Sequence, residues 1–115
     1  MAESKVKGSY TQESACTNFL SGISVNSNKL TKVNQLNMVH IELAVASSST
    51  IPVSTNFATI PSGYVAPNGK VVPAIIIANN GSNFAGSVSI SSSGAMQQNI
   101  TSNCQKIYID GWYTL

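Results

Sequence analysis

The side chains able to do chemistry are few. His40 is the only histidine, and on an extended backbone it shares a face with Glu42, two residues on. Asp110 and Trp112 have the same spacing near the C-terminal end. A hydrolase would need Ser, His and an acid in register, and serine is abundant, but no G-x-S-x-G elbow exists to hold a strained nucleophile at a strand end. His40 therefore reads as a surface or interface histidine and the chain as no enzyme. Paired carboxylates for glycoside hydrolysis could come only from Glu3, Glu13, Glu42 and Asp110, a thin set.

Metal and phosphate chemistry find no local support. Cys16 and Cys104 have 87 residues between them and no CxxC companion, and two buried free thiols are the preferred reading over a disulfide. No glycine-rich loop joins a strand to a helix, so no nucleotide cradle is expected and no cofactor is assigned. Asn80-Gly81-Ser82 and Asn99-Ile100-Thr101 match the glycosylation triplet, which chance supplies easily in a chain this rich in Asn and Ser. The aromatic residues suit another task. Saccharide sites set aromatic faces against C–H surfaces and use Asp, Asn, Gln or His for the hydroxyls, so Asp110 and Trp112 make a candidate pair; the competing reading packs Trp112 in the core or at a subunit contact.

These groups must be positioned by strands. The 115 residues are 43% hydrophobic and only 9% charged, and 18 Ser, 8 Thr, 12 Asn and 5 Gln replace charge as the solubilising component. The composition excludes disorder, and a net charge of +2 from six scattered lysines without any arginine is a poor footprint for nucleic acid. The longest apolar run, Val71 to Ala78, contains Pro73 and is too short for a transmembrane helix, so no membrane insertion is expected. Met1-Ala2-Glu3-Ser4-Lys5 leads into no apolar stretch, so no secretory signal is expected.

Val39, Ile41, Leu43 and Val45 alternate with Met38, His40, Glu42 and Ala44, a period of two that predicts a strand with one buried face. Shorter alternations recur at Ile23/Val25, Val88/Ile90 and Ile107/Ile109. Turn signals separate them, among them Asn26-Ser27-Asn28, Ser47-Ser48-Ser49 and the hairpin dipeptides Asn68-Gly69 and Asp110-Gly111. Only residues 11–20 suggest a helical turn, capped by Thr11. The expectation is all-β: an antiparallel β-sandwich over residues 15–115, preceded by an N-terminal arm or link, 1–14. Val71 to Ala78 breaks the pattern by being apolar on both faces, which one wet-faced sheet should not be. A partner subunit is the economical cover, with Val72, Ile75, Ile76 and Ile77 as interface candidates.

One corner carries a resemblance. Ile60-Pro61-Ser62-Gly63-Tyr64, followed by Pro67, resembles the L/I-P-x-G-Y-x-P signature of tail-tip, baseplate and tail-fibre domains of phages of Gram-positive bacteria. Val39-His40-Ile41-Glu42-Leu43 stands where that family has a V-V-x-L-x-L strand, Val88-Ser89-Ile90 with Gly94 where it has v-x-I-x-x-x-G, and Asp110-Gly111-Trp112-Tyr113 where it closes with G-x-Y. The likeness covers about residues 20–115; the family often has Arg after the Tyr, where this chain has Val65-Ala66-Pro67. The resemblance implies a jelly-roll-like sandwich, a homotrimer in the virion at a phage tail tip or baseplate, made in the bacterial cytoplasm. It also implies either adhesion to host cell-wall saccharides or a purely structural role against other tail proteins. A detached carbohydrate-binding module is the remaining alternative. The ligand-binding candidates are then His40, Asp110, Trp112 and Tyr64. Pro61, Gly63 and Tyr64 form the structural turn, with Gly63 expected at positive φ.

Overall fold

The computed structural model describes residues 11–100 and 102–115. Eight strands follow one another: β1 (Thr11–Ser14), β2 (Ile23–Val33), β3 (Met38–Ile51), β4 (Ala58–Thr59), β5 (Lys70–Ala78), β6 (Asn83–Ile90), β7 (Ala95–Gln98) and β8 (Cys104–Thr114). They hydrogen-bond as a single antiparallel sheet in the order β1-β2-β3-β8-β5-β6-β7-β4. The chain is thus all-β, but the two separate sheets of a sandwich are replaced by one sheet curled into a half-barrel. Just beyond β1, Thr17 exchanges backbone hydrogen bonds of 2.9 and 2.8 Å with Thr59 of β4, so the two ends of the sheet are drawn together. Among the described residues the only helical element is a 3-10 turn, Asn34–Leu36, and no helix is long and apolar enough to cross a membrane.

Curling puts the apolar side of each strand on the concave face, where one core forms. Val39, Ile41, Leu43 and Val45 of β3 meet Ile107, Ile109 and Tyr113 of β8 and Val72, Ala74 and Ile76 of β5, with Phe57, Ile60 and Met96 closing the far side. Buried Gln98 is fully used: its amide donates to the carbonyls of Ile51 and Ser102, and its oxygen accepts from the Ile100 N–H. That satisfies the backbone of the turn before β8, which would otherwise carry a desolvation penalty.

Several local expectations are corrected. Residues 11–20 contain no helical turn; Thr11–Ser14, at the end of the stretch read as an arm, pairs with Leu30–Val33 at the sheet edge. Residues 1–10 lie outside the described residues. Asp110-Gly111 makes no hairpin: β8 runs straight through it, with Glu42 opposite Asp110 and Ile41 opposite Gly111. Asn68-Gly69 ends a turn in which the Gly69 N–H reaches the Ala66 carbonyl, but it joins no paired strands. Asn26-Ser27-Asn28 and Ser47-Ser48-Ser49 lie inside β2 and β3, at register shifts that absorb the extra residues. At Asp110-Gly111 and Asn26-Ser27-Asn28 a long partner strand carries the extended course past a locally turn-prone sequence.

Candidate functional site

The convex face of β3 and β8 gathers the chemistry. Because Val39, Ile41 and Leu43 point into the core, His40 and Glu42 point outward, and the register sets His40 opposite Trp112 and Glu42 opposite Asp110. Nε2 of His40 lies 2.7 Å from Oδ1 of Asp110, while Nδ1 faces Oε1 of Glu42 at 3.8 Å. With its proton on Nε2, His40 donates to Asp110. The imidazole also leans on the indole of Trp112, ring centroids 4.8 Å apart and planes tilted by 40°. The contacts hold the imidazole between a carboxylate and an aromatic ring and leave the Trp112 side chain half-exposed.

Two flanking rows complete the surface. Toward the sheet edge, Thr31 lies opposite His40 and Lys29 opposite Glu42, and Lys29 forms an ion pair with Glu13 of β1 at 3.6 Å. Toward β5, Tyr108 is opposite both Ala44 and Ile75. The β5–β8 ladder stops at that pair, so at Pro73 β5 is locally an edge with β6 as its partner, where a residue without an N–H is tolerated. Here a depression of about 490 Å³ opens, lined by Ala44, Pro73, Ile75 and Tyr108 and bordered by Glu42 and Asp110. Among the described residues no group of three or more His, Cys, Asp or Glu is placed to hold a metal ion.

Of the four ligand-binding candidates, the fold brings together His40, Asp110 and Trp112. Tyr64 lies elsewhere, against the core, where the Tyr113 hydroxyl donates to its carbonyl oxygen at 2.6 Å. The corner it belongs to is tightly tied. Gly63 has φ +93°, the Tyr64 N–H donates to the Pro61 carbonyl at 3.2 Å, and Nζ of Lys32 donates to the Gly63 carbonyl at 2.9 Å while sitting 5.4 Å from the Tyr64 ring centre. Tyr64 is therefore a structural residue, removed from the convex face by burial of its ring.

The interface candidates also divide. Val72 and Ile76 are core residues covered by their own chain, a correction that follows from strict alternation along β5. Ile75 is half-exposed on the convex face, Ile77 is partly covered there and Val71 adds exposed apolar surface, while Phe84, opposite Ile76, is exposed on the other face of the sheet. Sequence reasoning set Glu42 on the face of His40 but counted neither it nor Tyr108 nor Lys29 among the ligand-binding candidates. The first two carried a usable signal, lying two residues from His40 and Asp110 on the same faces; Lys29 carried none, because only the β2–β3 register brings it there.

The cysteines are both free and buried. Burial pushes the Cys16 thiol up to about 12 and the Cys104 thiol up to about 11, so both stay protonated at neutral pH. The Sγ of Cys16 packs 3.9 Å from Sδ of Met96. Fold and site together define a small half-barrel module with a mixed aromatic, imidazole and carboxylate cluster on its outer surface. Compared with protein-family models and with curated proteins, the chain matches none.

Proposed function

We propose that this chain is a non-enzymatic receptor-binding module of a phage or prophage tail, adhering to host cell-surface saccharides as a homotrimer. The observation that carries the reading is the half-exposed indole of Trp112 set beside the His40–Asp110 hydrogen bond on the convex face. An aromatic plane supplies the surface for sugar C–H groups, and the free oxygen of Asp110 with the edge of His40 supplies directional partners for hydroxyls. The Pro61-Ser62-Gly63-Tyr64 corner adds the family resemblance. Trimer formation is supported by the exposed apolar side chains of Val71 and Ile75 on the convex face of β5, a strip that a lone copy leaves in water.

The same strip favours a second reading, a structural baseplate component that binds other tail proteins. Sedimentation of the protein with purified Gram-positive cell walls separates the two. Retention by walls that is lost in Trp112→Ala supports adhesion. Failure to bind any wall of a broad panel, with a stable oligomer by light scattering, supports the structural role, and a strict monomer that binds saccharide points to a detached binding module.

A further inference from the structure

Along the convex side of β8 the outward residues run Lys106, Tyr108, Asp110, Trp112, with Ile107 and Ile109 turned into the core between them. The registers with β3 and β5 set Ala44 and Ile75 on either side of Tyr108, so an apolar row crosses three strands. Tyr108 and Ile75 are both exposed, and a single chain leaves the row in water. Lys106 lies to one side of the row and Asp110 to the other, each about 7 Å from Tyr108 at the rise of a strand. Lys106 is exposed and has no polar partner among the described residues, whereas Lys29 pairs with Glu13, Lys32 donates to the Gly63 carbonyl and Lys70 to the Thr114 hydroxyl. Asp110 gives one oxygen to His40, and its side chain is otherwise open to solvent.

A cation and an anion at equal distances from an apolar centre make a surface that matches itself after a half-turn. We propose that the convex face of β8 docks on the same face of a second copy, about a two-fold axis along the Ala44–Tyr108–Ile75 row. The strands of the two copies then run in opposite directions, and Lys106 of each copy meets Asp110 of the other, twice per contact. The lysine comes from above the sheet to the second oxygen of Asp110, so the bond to His40 stays in place. Two convex surfaces share little area unless one receives the other. The depression of about 490 Å³ beside Tyr108 has room for the facing tyrosine ring, and the two-fold makes the exchange reciprocal. Away from the axis the surfaces diverge, which leaves Trp112, about 13 Å from Tyr108 along β8, at the rim of the contact. The inference needs no saccharide and goes beyond the trimer reading. Val71, four residues along β5 from Ile75, stays available to a three-fold contact, and the two contacts together pair one trimer with another.

An exposed ion pair contributes little, but like charges facing each other across a contact are strongly unfavourable, so the test is charge reversal. Lys106→Glu, Asp110→Lys, wild type and an equimolar mixture of the two variants are compared by sedimentation and light scattering, with circular dichroism as the check on folding. Each variant alone is expected at half the wild-type mass. The mixture regains the wild-type mass in a species containing both chains, because each reversed charge then faces its opposite. A wild-type mass of three chains that neither reversal changes overturns the two-fold contact and leaves the trimer reading standing. Reversals that halve the mass without recovery in the mixture overturn the Lys106–Asp110 pairing. A wild type of two chains with recovery in the mixture supports the inference and overturns the trimer, and a wild-type monomer overturns both.

Discussion

The hydroxyl of Tyr113 donates to the carbonyl oxygen of Tyr64 at 2.6 Å, a buried hydrogen bond between residues 49 positions apart. It ties the last strand to the Pro-Ser-Gly-Tyr corner and holds that corner over the core. Tyr113→Phe keeps the ring in place and leaves the Tyr64 carbonyl without its partner. The expected loss is about 1–3 kcal/mol, read as a lower urea midpoint with an unchanged slope.

Gly63 and Gly94 both hold positive φ, near +93° and +92°, but their surroundings differ. A Cβ at Gly63 meets nothing within 4 Å, whereas at Gly94 it would lie 2.3 Å from the Ile60 carbonyl oxygen. Gly63→Ala should therefore cost only the left-handed backbone penalty, about 1–2 kcal/mol. Gly94→Ala must in addition break the Ile60–Gly94 backbone hydrogen bond of 2.8 Å that joins the β6–β7 turn to the chain after β4. Melting temperatures should fall in the order wild type, Gly63→Ala, Gly94→Ala; equal losses would contradict the packing at Gly94.

Adjacent isoleucines on β5 face opposite ways, Ile76 at 0% and Ile75 at 50% exposure. Ile76→Asp buries an unpaired charge and should prevent folding. Ile75→Asp should fold, because its side chain reaches water in the single chain. If the convex strip joins subunits, this variant has the lower mass by light scattering. An unchanged mass would place any subunit contact elsewhere.

Alkali should destabilise the fold through its buried acids. Burial raises the thiols of Cys16 and Cys104 to about 12 and about 11 and pushes the Tyr113 phenol up as well. In the unfolded chain the thiols ionise near about 8.5, so above that pH the unfolded state holds fewer protons and stability falls. The stabilisation is complete below the unfolded value and is lost as pH rises through the folded ones. Urea midpoints should decline from about pH 8 upward, and Cys16→Ala should make the decline shallower. A slope unaltered by Cys16→Ala would mean that this thiol is open to solvent in the folded state.

Some of this could be read in the chain itself. The alternation of Val39, Ile41, Leu43 and Val45 with His40 and Glu42 depends only on the two-residue period of a strand, so the buried and outward faces of β3 follow from residue order. The all-β class follows in the same way, from short apolar alternations and scarce helix-forming runs. Asp110-Gly111 shows where local reading stops: the pair is turn-prone in isolation, and its extended course is imposed by eleven residues of β8 laid along β3.

Partner choice among strands belongs to the tertiary structure alone. His40 and Asp110 are 70 residues apart, and nothing in their neighbourhoods states that β8 lies between β3 and β5 or that residue 40 faces residue 112. That register, and the single curled sheet in place of two, is selected by which arrangement buries all the apolar faces in one core at once. The same collective choice turns Ile76 and Val72 inward, leaves Ile75 outside, and removes Tyr64 from the cluster. Residue order determined which side chains share a face; long-range burial decided which faces meet.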